Sequence, residues 1–155
     1  MSQKKLKINA GSQKYNVIIG NNLISNLSKL FSTNSIKFKK CLLLIDKRVP
    51  KNLVSKIKKS LKCEKTFYLF NASEKNKNMI TIKNILNLLL KNKFSRNDCL
   101  ISLGGGITGD TTCFAASIFK RGIKFINIPT TLLAQVDASI GGKSGVNDKK
   151  FGKNQ

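Results

Sequence analysis

The sequence predicts an α/β domain with a Rossmann-like, mostly parallel sheet and flanking helices. Three observations predict it. Strand-like and helix-like segments alternate from about residue 40 onward, the pattern of right-handed βαβ units. Two strand-like runs, "KCLLLID" and "DCLISLG", are apolar almost throughout, as in strands covered on both faces. The 155 residues are 41% apolar, which suffices for one core and argues against disorder.

"LKINA" and "YNVIIG" read as two short strands around "GSQK", a plausible hairpin. "NNLISNLSKLF" puts Leu23, Ile24, Leu27 and Leu30 on one helical face. "KCLLLID" is a buried strand, and "VPKNLVSKIKKSL" a helix with Pro50 in its first turn. "KTFYLF" is a strand, "NMITIKNILNLLLKN" a long amphipathic helix, and "DCLISLG" another buried strand. "TGDTTCFAASIFKRG" is an apolar helix closed by Gly122. "IKFINIP" is a strand, and "TTLLAQVDASIGGKSG" opens as a helix after Pro129. No repeat, linker or domain boundary interrupts residues 1–155, so the chain reads as one domain.

Charge is extreme: 29 Lys and Arg against 7 Asp and Glu, net +22. Such a chain attracts phosphate groups. The basic patches "SQKKLK", "KFKK", "KIKKS" and "NDKKFGK" are dispersed, mostly lysine, and not interleaved with aromatics. Dispersed lysines read as solvated faces, so no nucleic-acid partner is expected; the alternative, a basic nucleic-acid module, predicts steeply salt-dependent binding. No apolar run approaches the ~20 residues of a membrane helix, and "MSQKKLKINAG" has no apolar core of a signal peptide. Cys41, Cys63, Cys99 and Cys113 show no C-x-x-C spacing, so buried, reduced thiols in a cytoplasmic protein are expected. The sequence has no histidine, which removes the commonest general base and zinc ligand.

The chemistry-bearing stretch is "LISLGGGITGD", residues 100–110. Gly104, Gly105 and Gly106 fall where a strand ends and a helix begins. Ligands of a parallel sheet bind beyond that end, and a helix N-terminus offers free N–H groups to a phosphate. A pyrophosphate cradle follows. Gly104, Gly106 and Gly109 also satisfy G-x-G-x-x-G by letter, a weak signal alone. The same letters suit a tight turn with close helix–strand packing.

A second stretch, "IPTTLLAQVDASIGGKSGVN", adds Thr130 and Thr131 at a strand end, then Asp137, "GGK" at 141–143 and Asn147. With "GGGITGD", "FKRG" and "GKN", this order resembles the 3-dehydroquinate synthase family almost unbroken from Leu103 to Asn154. "ASEKNK" is similar to the family's Gly-Glu-x-x-Lys element, with Ser73 in place of the glycine. "LLLID" is similar to the strand that ends at an acid for the adenosine ribose.

The resemblance implies conversion of 3-deoxy-D-arabino-heptulosonate 7-phosphate to 3-dehydroquinate and phosphate, with NAD as recycled oxidant and zinc or cobalt as metal. It implies NAD contacts at Asp46, Glu74, Lys77, Gly105, Gly106, Ile107, Thr108, Gly109, Asp110, Thr130, Thr131, Lys143 and Lys153. It implies substrate contacts at Asp137, Lys143, Lys153 and Asn154. Arg121 would reach the substrate phosphate from a neighbouring subunit, hence a homodimer; its planar fork suits a phosphate. "DKKF" between Asn147 and Gly152 is one residue longer than the family spacing, which loosens the placement of Lys153 and Asn154. The family's metal ligands, one Glu and two His, belong to a helical part beyond the counterpart of Gln155. The 155 residues are therefore expected to be inactive alone, with apolar surface exposed along one wall of the cleft. Alternatives are another sugar-phosphate cyclase, a glycerol-dehydrogenase-like relative, or a non-catalytic nucleotide-binding remnant.

Overall fold

Residues 3–10, 13–138 and 145–147 are described by the structure, a computed structural model. The hairpin is present: β1 (Lys4–Ala10) pairs antiparallel with β2 (Gln13–Ile19) and forms a two-stranded sheet of its own. The expected first helix starts as one 3₁₀ turn, Leu23–Asn26, and becomes α-helical only in α1 (Leu27–Thr33). Its apolar stripe is as expected, with Leu27 and Phe31 buried.

Then the alternation takes over. β3 (Lys40–Asp46), α2 (Lys51–Ser60), β4 (Glu64–Phe70), α3 (Met79–Lys91), β5 (Cys99–Gly104), α4 (Gly106–Ile118) and β6 (Lys124–Pro129) follow in order. The strands form one parallel sheet in the order β4-β3-β5-β6. Pro50 caps α2 on its N-terminal side, and Lys58 and Lys59 stand in its last turn, where the helix dipole favours cations. Asn78 caps α3 by accepting from the Thr81 N–H at 3.0 Å.

The two apolar strands lie in the middle, which explains their lack of polar alternation. Their side chains divide by parity between two cores. Cys41, Leu43, Ile45, Cys99, Ile101 and Leu103 face α1 and α2; Leu42, Leu44 and Leu100 face α3 and α4. The chain thus leaves β3 toward one face and β5 toward the other. Between these neighbouring strands the order of the sheet reverses, and such a reversal opens a crevice at the strands' carboxyl ends.

At the opposite pole, Asp98 ties the loop before β5 to β3. Its carboxylate accepts from Ser95 N at 2.7 Å, Ser95 Oγ at 2.8 Å and Lys40 N at 3.1 Å. Burial pushes its pKa up, but the Ser95 and Lys40 hydrogen bonds and the Lys40 charge outweigh burial and hold it below the ordinary value. The unfolded chain therefore binds this proton more readily than the fold. Stability from Asp98 is complete above the ordinary carboxylate range and is lost as pH falls through and below it. Urea midpoints measured from about pH 5 to about pH 2 should fall less steeply in Asp98→Asn than in the wild type.

One expected feature differs. The helix after β5 ends at Ile118, before Gly122. Phe119–Arg121 is a separate 3₁₀ turn with Lys120 and Arg121 at φ 47° and 65°, followed by Gly122 at φ 114°. Burying Phe119 beside Ile123 in the α3–α4 core bends the chain before a regular C-cap forms. After Pro129 a helix opens at Leu132, as expected, and takes π-type geometry over Ala134–Ala138, with Ala134 buried and Leu132, Leu133 and Val136 exposed. No helix among the described residues is long and apolar enough to cross a membrane.

Candidate functional site

The three glycines do different work. At Gly104, the last residue of β5, a Cβ would sit 2.6 Å from Thr108 Oγ1, 2.8 Å from Thr108 Cβ and 2.9 Å from Asp46 Cβ. Its bareness is required by packing, as the tight-turn alternative has it, because β3, β5 and the first turn of α4 converge there. At Gly105 a Cβ would meet only the Thr131 side chain, Cγ2 at 3.5 Å and Oγ1 at 3.6 Å, both ordinary contacts. No fold constraint demands glycine at Gly105, and its backbone is the open face of the cradle. α4 begins at Gly106, so the free N–H groups of a 13-residue helix point into the crevice. Thr108, in that first turn, is fully buried, and among the described residues its Oγ1 is the one buried side-chain oxygen without a hydrogen-bond partner. Ile107 and Asp110 are half-buried in the same turn. Gly109 is buried, with Asn127 Oδ1 3.2 Å from a would-be Cβ, and lets α4 lie close on β6.

Around this turn the fold gathers most of the predicted residues. Thr130 leaves β6 beside Gly104, its N–H donating to the Gly104 carbonyl at 2.9 Å. Thr131 follows, and its Oγ1 accepts from Ala134 N at 3.2 Å. Lys77 Nζ meets Asp110 Oδ2 at 2.7 Å, both side chains mostly buried. This pair fastens the 73–77 turn to α4. Ser73, the residue that stands for a glycine, caps that turn by accepting from Asn76 N at 3.3 Å. A double-mutant cycle with Lys77→Ala and Asp110→Ala should return a coupling of about 1 kcal/mol, above the usual surface pair because of the shared burial.

Glu74 is exposed. Its Oε2 accepts from Asn147 Nδ2 at 2.9 Å, and Asn147 N donates to the Lys77 carbonyl at 2.8 Å. The segment 145–147 therefore returns to the 73–77 turn. Asn147 stood in the motif but not among the predicted site residues, because a contact spanning more than 70 positions leaves no local signal.

Asp46 is at the expected strand end but in an unexpected state. Its carboxylate is buried, and Arg48 closes on both oxygens: Nε to Oδ1 at 3.2 Å, Nη2 to Oδ2 at 2.9 Å, and Arg48 N to Oδ1 at 3.0 Å. Arg48 Nη2 also donates to the Ala72 carbonyl at 2.8 Å. The polar group this strand end turns outward is thus the Arg48 guanidinium, with the side chain 70% exposed. The bidentate fit of an Arg fork to a carboxylate two residues away accounts for the difference.

Arg121 is not brought to this edge. It stands exposed just beyond the C-terminal end of α4, one helix length from the crevice. Asp137 is exposed in the turn after Thr131. Lys143, Lys153 and Asn154 lie outside the described residues. A cavity of about 440 Å³ opens beside the crevice at the end of β4, with Lys47, Asn71, Lys75 and Thr81 in its wall. None of the predicted residues lines it; Asp46, Lys77, residues 105–110, Thr130 and Thr131 gather instead at the open cleft edge between β3, β5 and β6.

Fold and crevice together define a doubly wound α/β domain with its ligand edge at a strand-order reversal. The model of the 3-dehydroquinate synthase N-terminal region matches residues 67–155. The 3-dehydroquinate synthase of Pelagibacter ubique (strain HTCC1062) is 61% identical over 151 residues, 97% of this chain and 41% of that protein. That of Buchnera aphidicola subsp. Cinara cedri (strain Cc) is 41% identical over 145 residues, 92% of this chain and 39% of that protein. The chain belongs to the 3-dehydroquinate synthase family, and it spans about two fifths of the length of these relatives. Among solved structures, 2-deoxy-scyllo-inosose synthase complexed with carbaglucose-6-phosphate, NAD+ and Co2+ shares the fold. The TM-score is 0.84 and the identity 23%, over 94% of this chain and 41% of that one. A 2-epi-5-epi-valiolone synthase from Streptomyces hygroscopicus subsp. jinggangensis 5008, with NAD+ and Zn2+ bound, gives a TM-score of 0.76 at 25% identity, over 94% of this chain and 41% of that one.

Proposed function

We propose that this chain is the cofactor-holding part of a 3-dehydroquinate synthase. It binds NAD across the β3–β5 crevice and serves the conversion of 3-deoxy-D-arabino-heptulosonate 7-phosphate to 3-dehydroquinate and phosphate, a carbon–oxygen lyase reaction of the shikimate pathway. The observation that carries the reading is the α4 N-terminus: an uncrowded Gly105 backbone, free helix N–H groups and the unpartnered Thr108 Oγ1, all at the strand-order reversal. These groups fit a dinucleotide pyrophosphate.

In this reading Gly105, Gly106 and Ile107 receive the pyrophosphate, with Thr108 and Gly109 shaping the first turn behind them. Glu74 takes ribose hydroxyls, Asp46 takes one through the single lone pair that Arg48 leaves on its Oδ2, and Lys77 with Asp110 sets the position of the 73–77 turn. Thr130 and Thr131 supply hydroxyls at the β6 end. NAD, when bound, supplies a hydride acceptor that returns the hydride in the same cycle. Asp137, Lys143, Lys153 and Asn154 orient the substrate, the lysines as point charges toward carboxylate and hydroxyls. Lys143 and Lys153 also reach the cofactor. Arg121, remote from the crevice of its own chain, serves the phosphate in a homodimer. The cytoplasm is the proposed compartment.

Zinc or cobalt finds no fit among the described residues. No group of three or more His, Cys, Asp or Glu side chains there could hold a metal, and the roles above belong to side chains alone.

The test is phosphate release from the heptulosonate phosphate by the full-length gene product. Release that depends on NAD, and is absent with other sugar phosphates, is the expected result. Turnover of glucose 6-phosphate or a simple diol instead would overturn it in favour of another cyclase or a dehydrogenase.

A further inference from the structure

We propose that Cys63 and Cys41 form a peroxide-sensitive thiol pair, in which oxidation joins the two sulfurs as a disulfide. The pair sits at the amino pole of the sheet, away from the crevice, so the inference is independent of the cofactor reading. Both thiols are free, and their Sγ atoms are 3.5 Å apart in hydrogen-bonding contact. Sequence alone expected buried, reduced thiols. The structure buries Cys41 and Cys99 fully, but leaves Cys63 and Cys113 only partly buried, Cys63 in the short link between α2 and β4. An oxidant therefore meets Cys63 first, with Cys41 directly behind it.

The electrostatics divide the two roles. The hydrogen bond from Cys41 and the nearby Lys65 charge pull the Cys63 thiol down to about 7, against its burial and Glu64. Donating that hydrogen bond, together with burial, pushes the Cys41 thiol up. Burial likewise pushes up Cys99, the register partner of Cys41 on β5. Cys63 is the nucleophile of the set, since the thiolate is the reactive form.

The step needs a hydroperoxide as two-electron oxidant. The Cys63 thiolate attacks one peroxide oxygen, the O–O bond breaks, and hydroxide leaves to be protonated to water. Cys63 is then a sulfenic acid. The Cys41 sulfur attacks the Cys63 sulfur, the S–O bond breaks, and the hydroxyl leaves with the Cys41 proton as a second water. Two thiols and one hydrogen peroxide give one disulfide and two waters, and a dithiol reductant reverses the change. The new bond closes the chain from β3 to β4 around α2.

The experiment treats the full-length gene product with a small molar excess of hydrogen peroxide, blocks free thiols, and maps peptides without reduction. The expected result is a Cys41–Cys63 cross-linked peptide that dithiothreitol abolishes. In Cys41→Ser, Cys63 should stop at the sulfenic acid and be captured by dimedone. In Cys63→Ala, at a half-exposed position that tolerates change, Cys41 should stay reduced at the same dose. The proposal is overturned if Cys63 stays reduced while Cys113 oxidises. It is equally overturned if wild-type Cys63 passes to the sulfinic acid without linking to Cys41, or if Cys41 oxidises as fast in Cys63→Ala.

Discussion

Replacing Gly104 with valine should lower stability more than any other single change at the crevice. The Cβ alone would press to within 3 Å of Thr108 and of Asp46 Cβ, at the point where β3, β5 and α4 meet. Neither neighbour can yield. Thr108 is fixed in a helix turn and fully buried, and Asp46 is held by three hydrogen bonds from Arg48. Overpacking of this kind costs about 3 kcal/mol, and two further methyl groups leave no room for relief. A melting temperature lower by about 6–12 °C is expected. Gly104→Ala should fall part of the way. A valine variant that melts within about 2 °C of the wild type would show that the three segments are not packed as described.

Gly105→Leu separates binding from folding. Its Cβ meets only the Thr131 side chain, at ordinary contact distances, and its φ of −81° is open to any residue. Melting should therefore change little, by less than about 1 kcal/mol. NAD affinity should fall by about 30-fold or more, since the side chain stands where the pyrophosphate must approach the backbone and a loss of about 2 kcal/mol follows. Calorimetric titration reads both the affinity and the fraction of folded protein. The contrast between adjacent glycines is the useful feature: one is needed by the fold, its neighbour by the ligand.

Much of this fold was legible in the sequence. "KCLLLID" and "DCLISLG" lack polar alternation because both strands are central and covered on two sides, and together with the strand–helix alternation from about residue 40 that pattern points to a parallel α/β sheet. The end of α4 around Phe119 was misread for a physical reason. Helical periodicity continued in the letters while tertiary packing bent the chain to bury Phe119. Of the site, the glycine stretch, Lys77, Asp110, Thr130 and Thr131 were brought to one edge as their motifs suggested. The roles within that set were not legible. "GGG" reads the same whether a glycine avoids Thr108 or admits a phosphate, and only coordinates distinguish Gly104 from Gly105. Arg48 carried no motif, so its hold on Asp46 was invisible, as were the Asn147 bridge to Glu74 and the closeness of Cys41 to Cys63.

The central claim is where the cofactor lies. Amide hydrogen exchange of the full-length gene product, with and without saturating NAD, tests it most directly. The account predicts slowed exchange at residues 105–110, at 74–77 and at Thr130 and Thr131, with the amino pole around Asp98 unchanged. Slowing confined to the cavity beside β4, or no slowing at residues 105–110, would contradict it.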